Sequence, residues 1–403
     1  MKWETVKLSE CCSSIADGDH QPPPKAISGV PFVTISNINT SNQFDFTNTM
    51  FVPQEYYDNL DTKRKAVVGD VLYSVVGSFG IPVLIKEYNP FVFQRHIAIL
   101  RPNEKVLPAF LYYTMLSKDF YAKADAVALG AAQRTVSLTS LRNIRIELPP
   151  VETQNRIVSI LSAYDDLIEN NQRQIKLLEE AAQRLYKEWF VDLRFPGHEH
   201  TAIVDGVPEG WSRNRADYFF DITIGKTPPR AEKQWFTSDD KGIPWLSISD
   251  MGNSNTYIFE TSESLTSEAI NKHTVKVVPQ GSIFVSFKLT VGRVAIAAKD
   301  MCTNEAIAHF YINNAIHREY VYCYLKSFEY DTLGSTSSIS KAVNSKIIKA
   351  MPFIMPDDNL ICDFHNISNS IFENIKNKQL SCMKLKEARD RLLPKLMSGE
   401  LEV

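Results

Sequence analysis

The chain has 403 residues, of which 44% are hydrophobic, and a formal net charge of −3 at pH 7. This length predicts two or three domains, and the near-neutral charge argues against a protein that binds polyanions tightly by itself. No run approaches the ~18 apolar residues of a membrane helix, no apolar signal segment opens the chain, and the six cysteines form no CxxC pair. We therefore expect a cytoplasmic protein with reduced thiols and no membrane contact.

Residues 1–150 predict an α+β domain. Alternating apolar and β-branched residues over Val71–Val76 indicate a strand, and helical spacing over Pro108–Ser117 indicates a helix. A last strand alternates through residues 144–148, and two prolines then close the domain.

Residues 151–193 predict a long spacer helix. Its apolar positions recur at spacings of three and four, which is typical of a coiled-coil seam. At about 1.5 Å per residue, roughly 40 residues make a rod on the order of 60 Å long, which needs a surface to pack against. The seam positions are Leu161, Tyr164, Ile168, Asn171, Ile175, Leu178, Ala182, Leu185 and Trp189.

Residues 357–403 predict a second spacer helix with a weaker seam. Polar Asn171 and Lys378 occupy corresponding seam positions, and such groups usually fix register and orientation. We expect the two helices to form an antiparallel coiled coil within the chain. The second seam consists of Ser368, Ile371, Ile375, Lys378, Cys382, Leu385, Arg389, Leu392 and Leu396.

Short segments of the first half recur in the second half in the same order, which indicates a duplication. Gly69–Ser74, for example, returns as Gly281–Ser286. After a linker at 194–210, residues 211–356 therefore predict a second α+β domain related to the first by a pseudo-two-fold. Two-fold symmetric proteins place two recognition surfaces on DNA half-sites at a fixed separation. Because the copies have diverged, we expect two different half-sites rather than a palindrome.

Four short motifs carry a family resemblance. They are Leu148-Pro-Pro-Val-Glu-Thr-Gln-Asn-Arg-Ile, Leu185-Tyr-Lys-Glu-Trp-Phe, Asp17-Gly-Asp-His-Gln-Pro and Gly225-Lys-Thr-Pro. With these motifs and the duplication, the whole chain resembles the specificity subunits of type I restriction–modification systems. It departs from the usual Pro-Pro-x-x-Glu-Gln pattern because Thr153 separates Glu152 from Gln154, and the second copy keeps Pro356 and little else.

The resemblance implies a subunit without chemistry of its own. Each target-recognition domain would read one half of a bipartite site on double-stranded DNA, and the helices would set the spacing. The family's subunit holds two methylation subunits, which bind S-adenosylmethionine, and motor and nuclease subunits join the complex. The sequence agrees, since it has no GxxxxGK[ST], NPP[YF] or HExxH motif. His198-Glu-His200 has the side chains to bind metal, but a flexible, solvated linker is the favoured explanation.

The candidate DNA contacts lie in loops. Gln133 and Arg134 project from the small-residue loop 130–137, and glutamine to adenine and arginine to guanine are major-groove pairings. Thr135 and Ser137 could serve phosphates or bases. The matching positions that the resemblance implies in the second copy are Ser335, Thr336, Ser337, Ser338 and Lys341. The alternative is an ordinary surface turn.

A second pair of candidate turns holds Ser78 in the first copy and Lys288 and Arg293 in the second. Plain hairpin turns, whose glycines supply positive φ, explain them equally well. The remaining candidates, for which solvated turns are the competing explanation, are Lys226, Thr227, Arg230, His20 and Lys25.

The first long helix carries more apolar residues than a two-stranded seam needs. We expect this surplus to dock the methylation subunits, with packing against the recognition domains as the alternative. The surplus residues are Ile157, Ile160, Leu167, Leu177 and Ala181. Two other functions stay open: a two-lobed coiled-coil protein-binding scaffold without DNA specificity, and an enzyme such as a nuclease or methylase.

Overall fold

The computed structural model describes residues 3–39, 41–130, 133–237, 241–253, 255–333 and 343–403. The chain divides into two compact units. The first comprises Met1–Glu169 with Lys384–Val403, and the second comprises Asn170–Met383. Among the described residues, none of the helices combines the length and apolar character needed to cross a bilayer.

The helices include two that are much longer than the rest. In chain order they are α1 Gln54–Asp58, α2 Pro108–Leu116, α3 Lys118–Ala126, α4 Leu138–Asn143, α5 Val151–Tyr186, α6 Ala216–Phe219, α7 Ile248–Asn253, α8 Ser267–His273, α9 Arg318–Ser327, α10 Ser345–Lys349 and α11 Asp358–Met397. One π-helical turn, Lys187–Val191, follows α5.

The strands are short. Those of the first unit are β1 Glu4–Lys7, β2 Cys12–Asp17, β3 Val30–Val33, β4 Met50–Val52, β5 Val71–Ser74, β6 Pro82–Leu84, β7 Val92–Phe93, β8 Ile97–Pro102 and β9 Arg145–Leu148. Those of the second unit are β10 Ile203–Val204, β11 Val207–Pro208, β12 Ser212–Arg215, β13 Ile222–Ile224, β14 Phe236–Thr237, β15 Ile243–Leu246, β16 Tyr257–Ile258, β17 Glu263–Leu265, β18 Ile283–Ser286, β19 Val294–Ala297, β20 Cys302–Thr303, β21 Ile307–Phe310 and β22 Pro352–Met355.

Two sheets form the frame of the first unit. One has the order β2-β8-β5-β6 and is antiparallel, and the other has the order β4-β3-β7 with a parallel β3–β7 pair. All four residues of β5 are buried, because this central strand is covered on both faces. The main hydrophobic core of the first unit lies between the β2-β8-β5-β6 sheet and helices α2, α3 and α4. Its buried side chains include Phe110, Leu111, Phe120 and Leu141.

The second unit repeats this topology. Its first sheet has the order β13-β21-β18-β19, with β16 added in parallel at the edge, and its second has β17-β15-β20, with β14 added. The β15–β20 pair is parallel, as is its counterpart β3–β7. The duplication predicted from the sequence is therefore confirmed in the strand order of both α+β domains.

Within the first unit, the start of α5 packs against the end of α11. Ile157 and Leu161 of α5 share one buried core with Leu393 and Leu396 of α11. Arg156 donates to the carbonyl of Val403 at 3.2 Å, and Arg389 donates to Asp165 at 2.6 Å, so the two segments run in opposite directions. The expectation that Ile157 belongs to an exposed docking surface is wrong, because its side chain is fully buried in this core. Ile160 also packs partly against it.

Within the second unit, the π-helical turn that follows α5 packs against the start of α11, and the two long helices again run in opposite directions. The ring of Phe364 lies 5.9 Å from that of Trp189 and 5.1 Å from that of Phe190, centroid to centroid. Farther along, Asn171 donates from Nδ2 to Ser381 Oγ at 3.4 Å. A polar seam position therefore meets a polar group on the other helix.

The two predicted seams are covered along the described helices. The buried seam residues of α5 are Leu161, Ile168, Ile175 and Ala182. The seam residues between them, which are partly buried, are Tyr164, Asn171, Leu178 and Leu185. On α11, Ile375, Cys382 and Leu396 are buried, and Ile371, Leu385 and Leu392 are partly buried. Phe364, Phe372 and Gln379 are buried as well, outside the predicted seam.

Candidate nucleic-acid interface

The turn between β5 and β6 is held by one buried serine. Ser74 Oγ donates to the carbonyl oxygen of Ser78 at 2.9 Å and accepts from the amide of Ile81 at 2.9 Å. The amide of Gly80 donates to the carbonyl of Ser74 at 3.0 Å. Gly77 has a φ of +70°, a conformation that favours glycine. The turn is therefore rigid, while Ser78 at its tip is exposed.

The loop that contains Gln133 lies directly beside this turn. The amide of Gly77 donates to the carbonyl of Arg134 at 2.9 Å, and Val76 pairs with Thr135 in an isolated antiparallel bridge. The structure thus brings together two candidate loops that the sequence predicted separately. We call residues 77–80 and 133–137 the paired-loop surface.

The predicted side chains of this surface differ in their partners. Gln133 is exposed. Arg134 donates from Nη2 to the Asp125 carbonyl oxygen at 2.6 Å and pairs with the Asp125 carboxylate at 3.2 Å. Ser137 is the N-cap of α4, since its Oγ accepts from the amide of Ser140 at 3.0 Å. Gln133 and Ser78 are thus the better placed of these residues for an outside partner.

A cleft of about 320 Å³ opens beside the paired-loop surface, with Asp17, Arg95, His96, Gln133 and Thr135 in its walls. Sequence reasoning missed Arg95, which is exposed in the turn between β7 and β8. Burial, and then the neighbouring Arg95 charge, lower the pKa of His96. The available signal was a polar triplet, Gln94-Arg95-His96, between two apolar strands.

The Asp17-Gly-Asp-His motif forms a close backbone crossing at the rim of this cleft. A Cβ on Gly18 would lie 2.1 Å from the carbonyl oxygen of Phe93, so only glycine fits there. Asp17 contacts His20 Nε2 at 2.7 Å, and the hydroxyl of Tyr56 donates to Asp19. The motif positions the loop, and Asp17 lines the cleft.

The turn between β18 and β19 repeats the geometry of the first turn. Ser286 Oγ donates to the carbonyl oxygen of Thr290 at 2.6 Å and accepts from the amide of Arg293 at 2.9 Å. The amide of Gly292 donates to the carbonyl of Ser286 at 2.9 Å. Leu289 occupies the position of Gly77, with a φ of +64° and a side chain that is 92% exposed.

The other predicted residues of the second unit have mixed surroundings. Lys288 and Lys226 are exposed. Arg293 donates from Nη1 to the carbonyl of Ile248 at 2.7 Å, and Arg230 lies over the Trp245 ring at 4.5 Å. Five predicted positions lie outside the described residues: Ser335, Thr336, Ser337, Ser338 and Lys341.

In the described ranges of the chain, no three His, Cys, Asp or Glu side chains lie close enough together to bind a metal ion. His198 Nδ1 lies 2.8 Å from the carbonyl oxygen of Phe195. What both units present is therefore a set of rigid turns with exposed polar or charged tips, which suits binding better than catalysis.

Comparison with known proteins agrees with this architecture. The model of the type I restriction modification DNA specificity domain matches residues 1–180 and 208–378. The HindI type I restriction enzyme specificity subunit of Haemophilus influenzae is 25% identical, over 92% of this chain and 95% of that protein. The MjaIX specificity subunit of Methanocaldococcus jannaschii is 26% identical, over 83% of this chain and 78% of its own length.

A solved structure shares the fold. The type I restriction–modification S subunit from M. genitalium is 13% identical, covers 98% of this chain and 96% of that one, and has a TM-score of 0.55. Because the family model matches most of the chain on both sides of the linker, the chain belongs to the type I restriction modification DNA specificity family.

Proposed function

We propose that this chain is the DNA sequence-recognition subunit of a type I restriction–modification complex. Each α+β domain reads one half of a bipartite, asymmetric site on duplex DNA. The chain itself is not catalytic. Two methylation subunits bind S-adenosylmethionine, and motor and nuclease subunits join through the same complex.

One observation carries the proposal. The same serine-braced turn stands at the same point of both sheets, and its exposed tips differ, with Gly77 and Ser78 in one copy and Leu289 and Thr290 at the equivalent positions of the other. Rigid scaffolds with variable tips are what sequence readout needs, because a base contact requires placement within about 0.5 Å. Gln133 suits adenine and Lys288 suits guanine in the major groove.

The spacing function falls to the two long helices, which we propose form an antiparallel coiled coil. The packing of α5 and α11 segments in opposite directions within each unit supports this pairing. With 36 residues, α5 has a length of about 54 Å. The Asn171–Ser381 contact would favour one register, because polar groups at seam positions usually fix the alignment of the two helices. The domain limits at 150, 211 and 356 are part of the same proposal.

The methylation subunits would dock on the outer face of α5. Leu167 is 52% exposed and Leu177 is 60% exposed, and Ala181 is exposed as well. Large apolar side chains left on the outside of a long helix are typical of partner surfaces.

Methylation mapping tests the proposal as a whole. A host that carries this chain with its methylation subunits should modify adenine at one split motif, with two different halves and a constant gap. A host with an empty vector is the control. Modification without a split motif, or none at all from an assembled complex, would contradict DNA recognition and favour the protein-binding scaffold.

A further inference from the structure

The turn that contains Arg95 has a counterpart in the second unit. In residues 94–97 and in residues 304–307, the amide of the last residue donates to the carbonyl of the first, at 3.0 Å and 3.3 Å respectively. The second residue of each turn is exposed. It is Arg95 in the first unit and Glu305 in the second, so the equivalent positions carry opposite charges.

The surroundings of the two turns are equivalent too. The carbonyl of the third residue of each turn accepts a hydrogen bond from the amide of the residue after the bracing serine, Val75 at 2.8 Å and Phe287 at 2.9 Å. The loops of Gly18 and Gly225 make equivalent contacts with the two turns. The amide of Gly18 donates to the carbonyl of Ile97 at 3.2 Å, and the amide of Gly225 donates to the carbonyl of Ile307 at 3.1 Å. The two turns therefore share their backbone hydrogen bonds and differ in the charge of the side chain at the second position.

Arg95 faces the cleft that Gln133 and Thr135 also line. Among the described residues Arg95 forms no ion pair, whereas Arg134 is committed to Asp125. Of these two guanidinium groups, that of Arg95 is the better placed for an outside ligand.

Glu305 accepts a hydrogen bond from the hydroxyl of Thr227. Burial alone would raise the pKa of Glu305, but this bond and the nearby charges of Lys288 and Arg230 outweigh it and lower the pKa. The carboxylate is therefore ionised at neutral pH and acts only as an acceptor.

We propose that Arg95 and Glu305 make the two half-sites different, Arg95 by donating to guanine O6 and N7 and Glu305 by accepting from cytosine N4. These are the pairings that the two side chains form with base edges in the major groove. A carboxylate at this position of the second unit argues against a phosphate contact there, because the two anionic groups would repel each other. The inference rests on the proposed function, since it assigns residues of the same recognition surfaces.

Methylation mapping of variants tests it in the complete complex. Arg95→Ala should turn one guanine of one half-site into a degenerate position and leave the other half unchanged. Glu305→Ala should do the same to a cytosine of the other half-site. We expect discrimination at that position to fall on the order of 10- to 100-fold, the range of one bidentate base contact. Lys105→Ala, at an exposed site outside these turns, is the control.

The outcomes separate the two proposals. If the parent chain directs no split motif, the proposed function fails. If it does, and both variants keep the parent motif, only the present inference fails. Uniformly weaker modification with an unchanged motif would place Arg95 on the phosphate backbone and would also overturn it.

A binding measurement covers variants that fail to fold. The parent complex is titrated with duplexes in which each half-site guanine is replaced in turn by 7-deazaguanine, which lacks the N7 acceptor. One replacement should weaken binding about tenfold, by the loss of part of one bidentate contact. Equal affinity for all of these duplexes would refute the role of Arg95.

Discussion

Arg389 of α11 donates from Nη1 to Asp165 of α5 at 2.6 Å, within the first unit. The hydroxyl of Tyr113 donates to the other oxygen of the same carboxylate at 2.7 Å. Both charged side chains are mostly buried, with exposures of 15% and 18%. One carboxylate thus ties together the recognition domain, the start of the first long helix and the end of the second.

Arg389→Ala should lower the free energy of unfolding of the first unit by about 3 kcal/mol, because it leaves a largely buried carboxylate without its cation. Urea denaturation of the full chain measures this change. Arg391→Ala is the matched control and should change stability by less than about 0.5 kcal/mol, since Arg391 pairs with Glu387 on the exposed face. Equal effects from both substitutions would contradict the bracing role of Asp165.

Gln154→Leu should destabilise the junction between the first domain and α5. Gln154 is fully buried, accepts from the amide of Leu107 at 2.9 Å and donates to the carbonyls of Lys105 and Pro149. Leucine leaves these groups without partners, at a cost of about 2–3 kcal/mol.

Hydrogen exchange of the first turns of α5 measures the loss of this junction. Asn155→Ala, on the exposed side of the helix, is the control and should leave the exchange rates nearly unchanged. Unchanged protection in Gln154→Leu would show that the three hydrogen bonds do not hold the helix.

Leu289→Gly should stabilise the second unit. Relief of a left-handed conformation at φ +64° gains about 1–2 kcal/mol, and the added freedom of glycine in the unfolded chain costs about 0.5–1 kcal/mol. We expect a net gain of about 0.5–1 kcal/mol in chemical denaturation. Leu289→Ala keeps the Cβ atom and should give no gain. A similar gain from both would assign the effect to loss of the exposed side chain.

The second unit should lose stability in acid through His309. Burial lowers the pKa of His309 to about 3, and the neutral ring lies between the hydroxyls of Thr223 and Thr303. Between pH 6.5 and about 3 the unfolded chain binds a proton that the folded chain does not. The free energy of unfolding should therefore fall with decreasing pH, by up to about 1.4 kcal/mol per unit.

His309→Gln removes this proton, so its stability should depend less steeply on pH in that window than that of the parent chain. Urea denaturation at pH 7, 5.5 and 4 gives both slopes. Parallel slopes for the two proteins would mean that His309 is protonated in the folded state.

Leu177→Glu should weaken assembly with the methylation subunits at least tenfold while leaving thermal stability unchanged, because the side chain is 60% exposed and a charge would be desolvated on docking. Co-purification with the methylation subunits measures this effect. Lys176→Glu makes a larger charge change at the neighbouring exposed position and should have little effect. Full assembly of the Leu177 variant would exclude this face of α5.

Local patterns predicted much of the fold. The seam of α5 follows from spacings of three and four residues, and the burial of Leu161, Ile168 and Ile175 agrees with it. The internal repeat was detectable in the sequence because Gly69–Ser74 and Gly281–Ser286 keep the same order of small and apolar residues.

Contacts between distant segments were not predictable in this way. The bridge between Val76 and Thr135 joins segments far apart in the chain, and no spacing rule connects them. Ser137 has a hydroxyl group that suits a DNA contact, but its Oγ caps α4. Ile157 fits a surface stripe by periodicity, whereas its side chain is buried in the core of the first unit. The equivalence of Arg95 and Glu305 depends on backbone hydrogen bonds between distant segments, which the sequence does not specify.

The two serine-braced turns run from Ser74 to Ile81 and from Ser286 to Arg293, so they contain the same number of residues between equivalent anchors. Gene conversion between the two halves of the coding sequence would therefore exchange tips without inserting or deleting a residue. Such an event would make the split target more symmetric in one step. A host cell would in this way redirect its own methylation pattern while the subunit keeps its fold and its partners.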